Sequence, residues 1–564
     1  MQSLVGIDAL DQSHAEPWEG APLAADLTES DRRSAPARRI VGRLVSLNAT
    51  QAVVDCLLDP AGEAWSVGHL ITVSHRNLRM VGVVVQVETL SGRWSEGEPN
   101  GARLVCELTG EIEDSAAGSP VFYRGIRSYP SLGAVVHRIR ADDLKAIYSC
   151  RGKAGFEIGR LSQNDAITAQ VDIRALIARH FAVLGSTGVG KTTTSSMLIN
   201  QAIIAVPQLR VVILDPHNEY KDSFPDIALV VDSENLDLPI WMFQFEELAD
   251  VVFGGAPPHP EQRDALYELI QTVKTKSGAD SAPMNSGGML RRQGGAERPS
   301  VTPDTPVPFR VADAIAIIDE WLGKLDQRYT RSDLRTLRAR LDGLSRDPRY
   351  RFMFRKGNEE DQLVKVISRL FRIPIGGMPV TIVRLAGLPN EVVNSVVSIM
   401  ARLAFEIGFL CAGNFLVTLL CEEAHRYIPA DRGRTFGPAR RALGRIAKEG
   451  RKYGASLGVI SPRPAELDPT VLSQCSTVFA MRLVNEEDKR IVHDAVGSSA
   501  LSMLLPTIAN REAIAFGEAL PMPMRMTFFD IALQPKAKPE NISDLMYIDL
   551  PRLCSQLRGQ GDAA

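Results

Sequence analysis

Gly185-Ser186-Thr187-Gly188-Val189-Gly190-Lys191-Thr192 fits the pattern G-x-x-x-x-G-K-[ST] at every fixed position. Its glycines let successive backbone N–H groups curl around a phosphate. An apolar run, Phe181–Leu184, precedes the loop, and a helical pattern opens at Thr193 and continues to Ala205. That order of strand, turn and helix aims the helix N-terminus at the bound anion. Lys191 has the reach for the β- and γ-phosphates, and the Thr192 hydroxyl is a Mg²⁺ ligand in such loops. A plain glycine-rich turn would need neither the lysine nor the hydroxyl.

A second chemical feature stands at the end of another apolar run. Phe415–Leu420 leads into Cys421-Glu422-Glu423-Ala424-His425-Arg426. Adjacent acids at the carboxyl end of a buried strand are where a P-loop protein holds Mg²⁺ and polarises a water. Glu422 is assigned the metal side, and Glu423 the general base for attack on the γ-phosphate. The pair predicts hydrolysis rather than a binding switch. His425 reads as a helix-face residue or a sensor of the site. Asp215, His217 and Glu219 follow the apolar run Val211–Leu214, at the sheet edge where ligands bind. Asp215-Pro216 and Asn218 are also turn formers, so a plain turn is the competing reading.

These residues need a scaffold. Apolar runs at Phe181–Leu184, Val211–Leu214, Val380–Leu385, Phe415–Leu420, Leu457–Ile460 and Thr477–Arg482 alternate with helical patterns. That predicts an α/β domain with a largely parallel sheet. A helical insertion is expected at about 240–370, where Leu334, Leu337, Leu341 and Leu344 keep helical spacing. Within it, Lys276–Pro308 is rich in Ser, Gly and Pro and reads as a disordered loop. Ahead of the α/β domain, short β-rich runs between turn residues predict a small β-barrel. Arg160–Arg179 reads as a connector. The expected divisions are an acidic tail at 1–35, a barrel at 36–160, a core at 161–533 and a C-terminal tail at 534–564 that packs on a neighbour or frays.

Composition excludes several classes. The chain has 564 residues, with 64 Lys and Arg against 67 Asp and Glu, so a uniformly basic nucleic-acid binder is excluded. Seven cysteines without a CxxC pair suit a reducing compartment and give no structural zinc pattern. The most apolar stretch, Val392–Cys421, is interrupted by Arg402, Glu406, Gly408, Gly413 and Asn414. It reads as a buried helix, a turn and a strand rather than a membrane span. With no secretory signal pattern, a cytoplasmic protein is expected. Charge is nevertheless uneven. Between Pro429 and Tyr453, Arg432, Arg434, Arg440, Arg441, Arg445, Lys448, Arg451 and Lys452 stand against Asp431 and Glu449. Such a segment suits sequence-independent, salt-sensitive phosphate contacts; a solvated helix at a subunit interface is the alternative. No guanine-specific N-K-x-D pattern and no nuclease constellation is present.

Together GSTGVGKTTT, ILDPHNEY (Ile213–Tyr220), CEEAHRYIP (Cys421–Pro429), AKEGRKYGASLGVISPRP (Ala447–Pro464) and LDPTVLSQCSTVFAMRL (Leu467–Leu483) resemble the HerA family. The barrel ahead of them resembles that family's HAS barrel. The resemblance implies a RecA-like, FtsK-related ATPase using ATP and Mg²⁺, assembled as a homo-hexamer that moves along double-stranded DNA. In archaea such rings work with the nuclease NurA in DNA end processing. Bacterial relatives pair with nuclease or sirtuin-type effectors in anti-phage defence. The resemblance also places Arg445 and Arg451 close to a trans-acting arginine, with Arg451 favoured, and Arg179 at a cis-acting one. Two positions depart from the family pattern. Pro462 replaces a glutamine in S-Q-R-P, and Arg384 stands where relatives tend to carry an acid. Two readings follow: a DNA-translocating motor, or an oligomeric ATPase scaffold that regulates a partner effector without processive movement.

Overall fold

Alternating apolar residues close the first strands on themselves. The computed structural model describes residues 40–57, 65–90, 100–115, 118–150, 155–280, 301–324, 328–355, 361–430, 437–496, 499–544 and 547–559. The acidic tail and Arg432 and Arg434 lie outside the described residues. Seven strands come first: β1 (Ile40–Leu47), β2 (Gln51–Leu57), β3 (Leu70–His75), β4 (Leu78–Thr89), β5 (Gly101–Asp114), β6 (Pro120–Arg124) and β7 (Val135–Arg138). Their order is β2-β1-β7-β3-β4-β5-β6, and β2 also pairs with β5. Six strands therefore close a barrel, and β6 hangs on β5. Val54, Cys56, Leu104, Cys106, Ile71 and Val136 fill the interior. Closure removes unpaired strand edges.

The second sheet carries the chemistry. It contains β8 (Gly155–Leu161), β9 (Asn164–Asp172), β10 (His180–Leu184), β11 (Arg210–Asp215), β12 (Ala228–Val231), β13 (Val380–Arg384), β14 (Val417–Cys421), β15 (Ala455–Ser461), β16 (Cys475–Ala480), β17 (Glu512–Gly517) and β18 (Met524–Phe528). The order is β12-β13-β11-β14-β15-β10-β16-β17-β18-β8-β9. Strands β12 to β16 in that order are parallel; β17, β18, β8 and β9 extend the sheet antiparallel. The fold is thus α/β with a mainly parallel sheet. Both faces are covered. Val211 and Ile213 of β11 pack on the side of helix Lys191–Ala205, and Val212 and Leu214 on the side of helix Asn390–Leu410. That second helix is long and apolar enough to cross a membrane, and 83% of its apolar window is buried inside the protein.

Three expectations are corrected here. The connector after residue 160 is instead the β8–β9 hairpin, with Ile167, Ala169 and Val171 buried, so the expected barrel boundary falls inside β8. The segment 276–308 is not one disordered loop. Residues 276–280 end helix Pro260–Asp280. The buried Lys274 Nζ donates to the carbonyls of Pro303 (2.5 Å) and Thr305 (2.8 Å), and Asp304 accepts from the Phe245 N–H at 2.7 Å. Residues 281–300 lie outside the described residues. The C-terminal segment packs on its own chain: Asp544 accepts from Arg210 at 2.6 Å and from the Ile375 N–H at 2.8 Å.

Candidate nucleotide site

The phosphate loop leaves β10 at the carboxyl edge of the sheet. Its backbone is tied to both neighbouring strand ends. The Gly185 N–H donates to Ser461 O (3.2 Å) and the Ser186 N–H to Arg482 O (2.9 Å). Gly188 and Gly190 adopt φ of +81° and +104°, a region open to glycine and costly for other residues. Ser186, Thr187 and Val189 complete the turn, and Thr193 lies in the first turn of helix Lys191–Ala205. The Lys191 side chain is buried, and its Nζ donates to Ser186 O at 3.1 Å, folding it back over the loop. Burial lowers its pKa, opposed by the charges of Glu422, Glu423 and Glu219.

The acids arrive from β14, two strands away. Glu422 is 2% exposed. Burial pushes its carboxyl up to about 7, against the pull of the Tyr220 hydroxyl and Lys191. The Tyr220 hydroxyl donates to Glu422 Oε2 at 2.5 Å and lies 2.7 Å from the Ser195 hydroxyl. Glu423 takes the left-handed conformation, φ +52°, which turns it away from Glu422 and into a cleft of about 950 Å³. The same cleft is lined by Ser186, Thr187, His217 and Pro462. His425 Nδ1 stands 3.4 Å from Glu423 Oε2 and 3.3 Å from the Ser461 hydroxyl.

The loop after β11 brings in Glu219, which the sequence singles out, and Tyr220, which it does not. Glu219 accepts from the Thr192 hydroxyl at 2.5 Å. Tyr220 links Glu422 to the phosphate-loop helix. Adjacency to Asp215, His217 and Glu219 is the only sequence signal for Tyr220. Asp215 itself is corrected. It is fully buried and accepts the backbone N–H groups of His217, Glu219 and Tyr220, so it shapes the loop instead of facing a ligand. Arg384 gains a physical account. Its Nε donates to Asn218 Oδ1 at 2.7 Å, pinning a residue with φ +62° in that loop.

The arginines separate. Arg179 precedes β10, so the strand's length places it roughly 20 Å from the loop. It pairs with Glu518. A cis role at this subunit's phosphates is therefore excluded by strand direction. Arg445 stacks on Phe405, 4.1 Å from the ring centroid. Arg451 is exposed ahead of β15, in a groove with Arg174, Val206 and Gly413 at the edge opposite the phosphate loop. Nor does the basic helix Gly437–Glu449 present one stripe, because Arg440 binds Asp468 at 2.8 Å while Arg445 is stacked.

Oxygen donors dominate the site. Thr192 and Glu422 would hold Mg²⁺, with Glu219 beside the hydroxyl. A hydroxyl and carboxylates suit that hard ion, which takes few protein ligands when it arrives on a nucleotide. Among the described residues, no three His, Cys, Asp or Glu side chains form a metal cage.

Sheet order, phosphate loop and paired acids define a P-loop ATPase. Residues 156–404 match the family model described as the central domain of helicase HerA. The chain is 26% identical over 439 residues to a protein of Pyrococcus furiosus named DNA double-strand break repair helicase HerA, covering 71% of this chain and 73% of that one. A protein of that name from Sulfurisphaera tokodaii is 22% identical, covering 86% and 92%. Among solved structures, the plasmid coupling protein TrwB with a non-hydrolysable GTP analogue aligns at TM-score 0.46 and 12% identity, covering 72% of this chain and 96% of that one. Over residues 156–404, and along most of its length to the two HerA relatives, the chain is similar to the HerA family.

Proposed function

We propose that the protein is an ATP-hydrolysing motor that assembles as a hexameric ring and moves on double-stranded DNA without sequence preference, serving a partner nuclease or other effector in DNA end processing or anti-phage defence. The observation that carries the reading is the completed hydrolytic geometry. The buried Lys191 stands within the field of Glu422, Glu423 and Glu219, and the Thr192 hydroxyl donates to Glu219 beside the cleft that Glu423 lines. Relatives named as DNA double-strand break repair helicases support the DNA substrate. A ring is supported by Arg451, whose place at the far sheet edge suits the site of an adjacent subunit. Such an arginine stabilises charge on the transferring phosphoryl group.

One observation favours the scaffold reading. Pro462 lines the cleft beside Glu423 and offers neither a side-chain donor nor a backbone N–H to the γ-phosphate. Steady-state ATP hydrolysis with and without linear double-stranded DNA, over a salt series, separates the two. A motor is stimulated by DNA, and the stimulation fades as salt rises. A scaffold hydrolyses ATP at one rate throughout.

A further inference from the structure

The acids fix the direction in which a nucleotide must lie. Lys191, Glu422 and Glu423 stand on the β14 side of the phosphate loop, so the γ-phosphate points that way. The α-phosphate and nucleoside must then leave on the opposite side, towards β16, β17 and β18. Arg511 stands there, immediately ahead of β17. A Cβ on Gly190 would lie 3.2 Å from Arg511 Cγ, which puts this side chain against the N-cap of the phosphate-loop helix.

Its backbone is locked. The Arg511 N–H donates to Val189 O at 2.9 Å, and its carbonyl accepts from the Phe528 N–H at 2.9 Å. The residue is held at φ +60°, a conformation that disfavours ordinary side chains and that concentrates at functional positions. The guanidinium is held less tightly. It meets Asp530 at 3.2 Å, with both side chains 49% exposed. A half-exposed pair of this kind is weak, so the guanidinium can turn to an anion arriving at the helix N-terminus.

We propose that Arg511 binds the α-phosphate of the nucleotide, from the side opposite the acidic pair. The inference rests on the nucleotide reading of the loop. It adds a cation that no pattern in the phosphate-loop sequence announces, and it couples β17 and β18 to nucleotide occupancy.

The test is calorimetric titration of the full chain with Mg·ATP and Mg·ADP. Arg511→Gly and Arg511→Asn are the variants, because both residues accept positive φ. Loss of one charge-assisted contact should weaken ATP and ADP alike, by about tenfold. The nucleotide-free melting temperature should stay within a few degrees, while its rise on adding ADP shrinks. Unchanged affinity in both variants overturns the proposal. So does a loss confined to ATP, which would place the contact at the γ-phosphate, and so does a loss in one variant alone. Wild-type protein that binds no nucleotide, with Lys191→Ala identical to it, would instead remove the nucleotide reading.

Discussion

The Tyr220 hydroxyl donates to the Glu422 carboxylate at 2.5 Å while lying 2.7 Å from the Ser195 hydroxyl. Three separate chain segments thus meet at one oxygen: the loop after β11, the acid after β14, and the phosphate-loop helix. Tyr220 is fully buried, so no water replaces its hydroxyl. Tyr220→Phe leaves a buried carboxylate and a buried hydroxyl short of a partner, at about 1–3 kcal/mol. The expected outcome is a fall in kcat of about tenfold or more, with ATP affinity within about threefold of wild type. Wild-type turnover in steady-state assays would show that Glu422 needs no such support.

Lys191 and Glu423 should fail in different ways. Lys191→Ala removes the cation folded over the loop, so ATP affinity should drop by about tenfold or more. Glu423→Gln keeps the cleft shape and loses the base. It should bind ATP near the wild-type affinity and turn it over about a hundredfold more slowly. Nucleotide titration and single-turnover hydrolysis on the same preparations separate the two. Rapid hydrolysis by Glu423→Gln would assign the base elsewhere.

Contiguity decides what the sequence makes legible. The phosphate loop and the Glu422-Glu423 pair are local runs, each flanked by the strand that positions it, and both could be read residue by residue. Tyr220 could not, because its partners lie 25 and 202 residues away. The basic count around Arg440 overstated a DNA-facing surface for the same reason: Asp468, which neutralises that arginine, is 28 residues distant. Arg179 shows the opposite failure. Resemblance supplied its position, but the direction of β10 carries it to the far edge. The β8–β9 hairpin looked like a connector because its strands are half exposed and pair only at the antiparallel margin of the sheet.

Arg451 tests the ring. It lies the length of β15, roughly 20 Å, from its own phosphate loop, so any phosphoryl contact must reach another subunit. Arg451→Ala should lose most hydrolysis while retaining ATP binding. Mixing it with Lys191→Ala should restore a fraction, because some junctions then join an intact Lys191 to an intact Arg451. Mixtures that stay inactive at every ratio would leave Arg451 as a surface residue of the groove.

His180 ties β10 to β15 and makes the core acid-sensitive. Its Nδ1 accepts the Leu457 N–H at 3.0 Å, and the ring is 4% exposed. Burial lowers its pKa from 6.5 to about 4. The ring is therefore neutral in the fold and gains a proton more readily in the unfolded chain. Its contribution is intact above pH 6.5 and is lost as pH falls towards 4. A shift of this size corresponds to about 3 kcal/mol across that interval. Denaturation midpoints measured between pH 7.5 and 5 should fall more steeply for wild type than for His180→Gln, which carries no titrating ring. Parallel curves would mean that protonation at this strand pair is not what acid attacks, and that the Leu457 contact survives a charged ring.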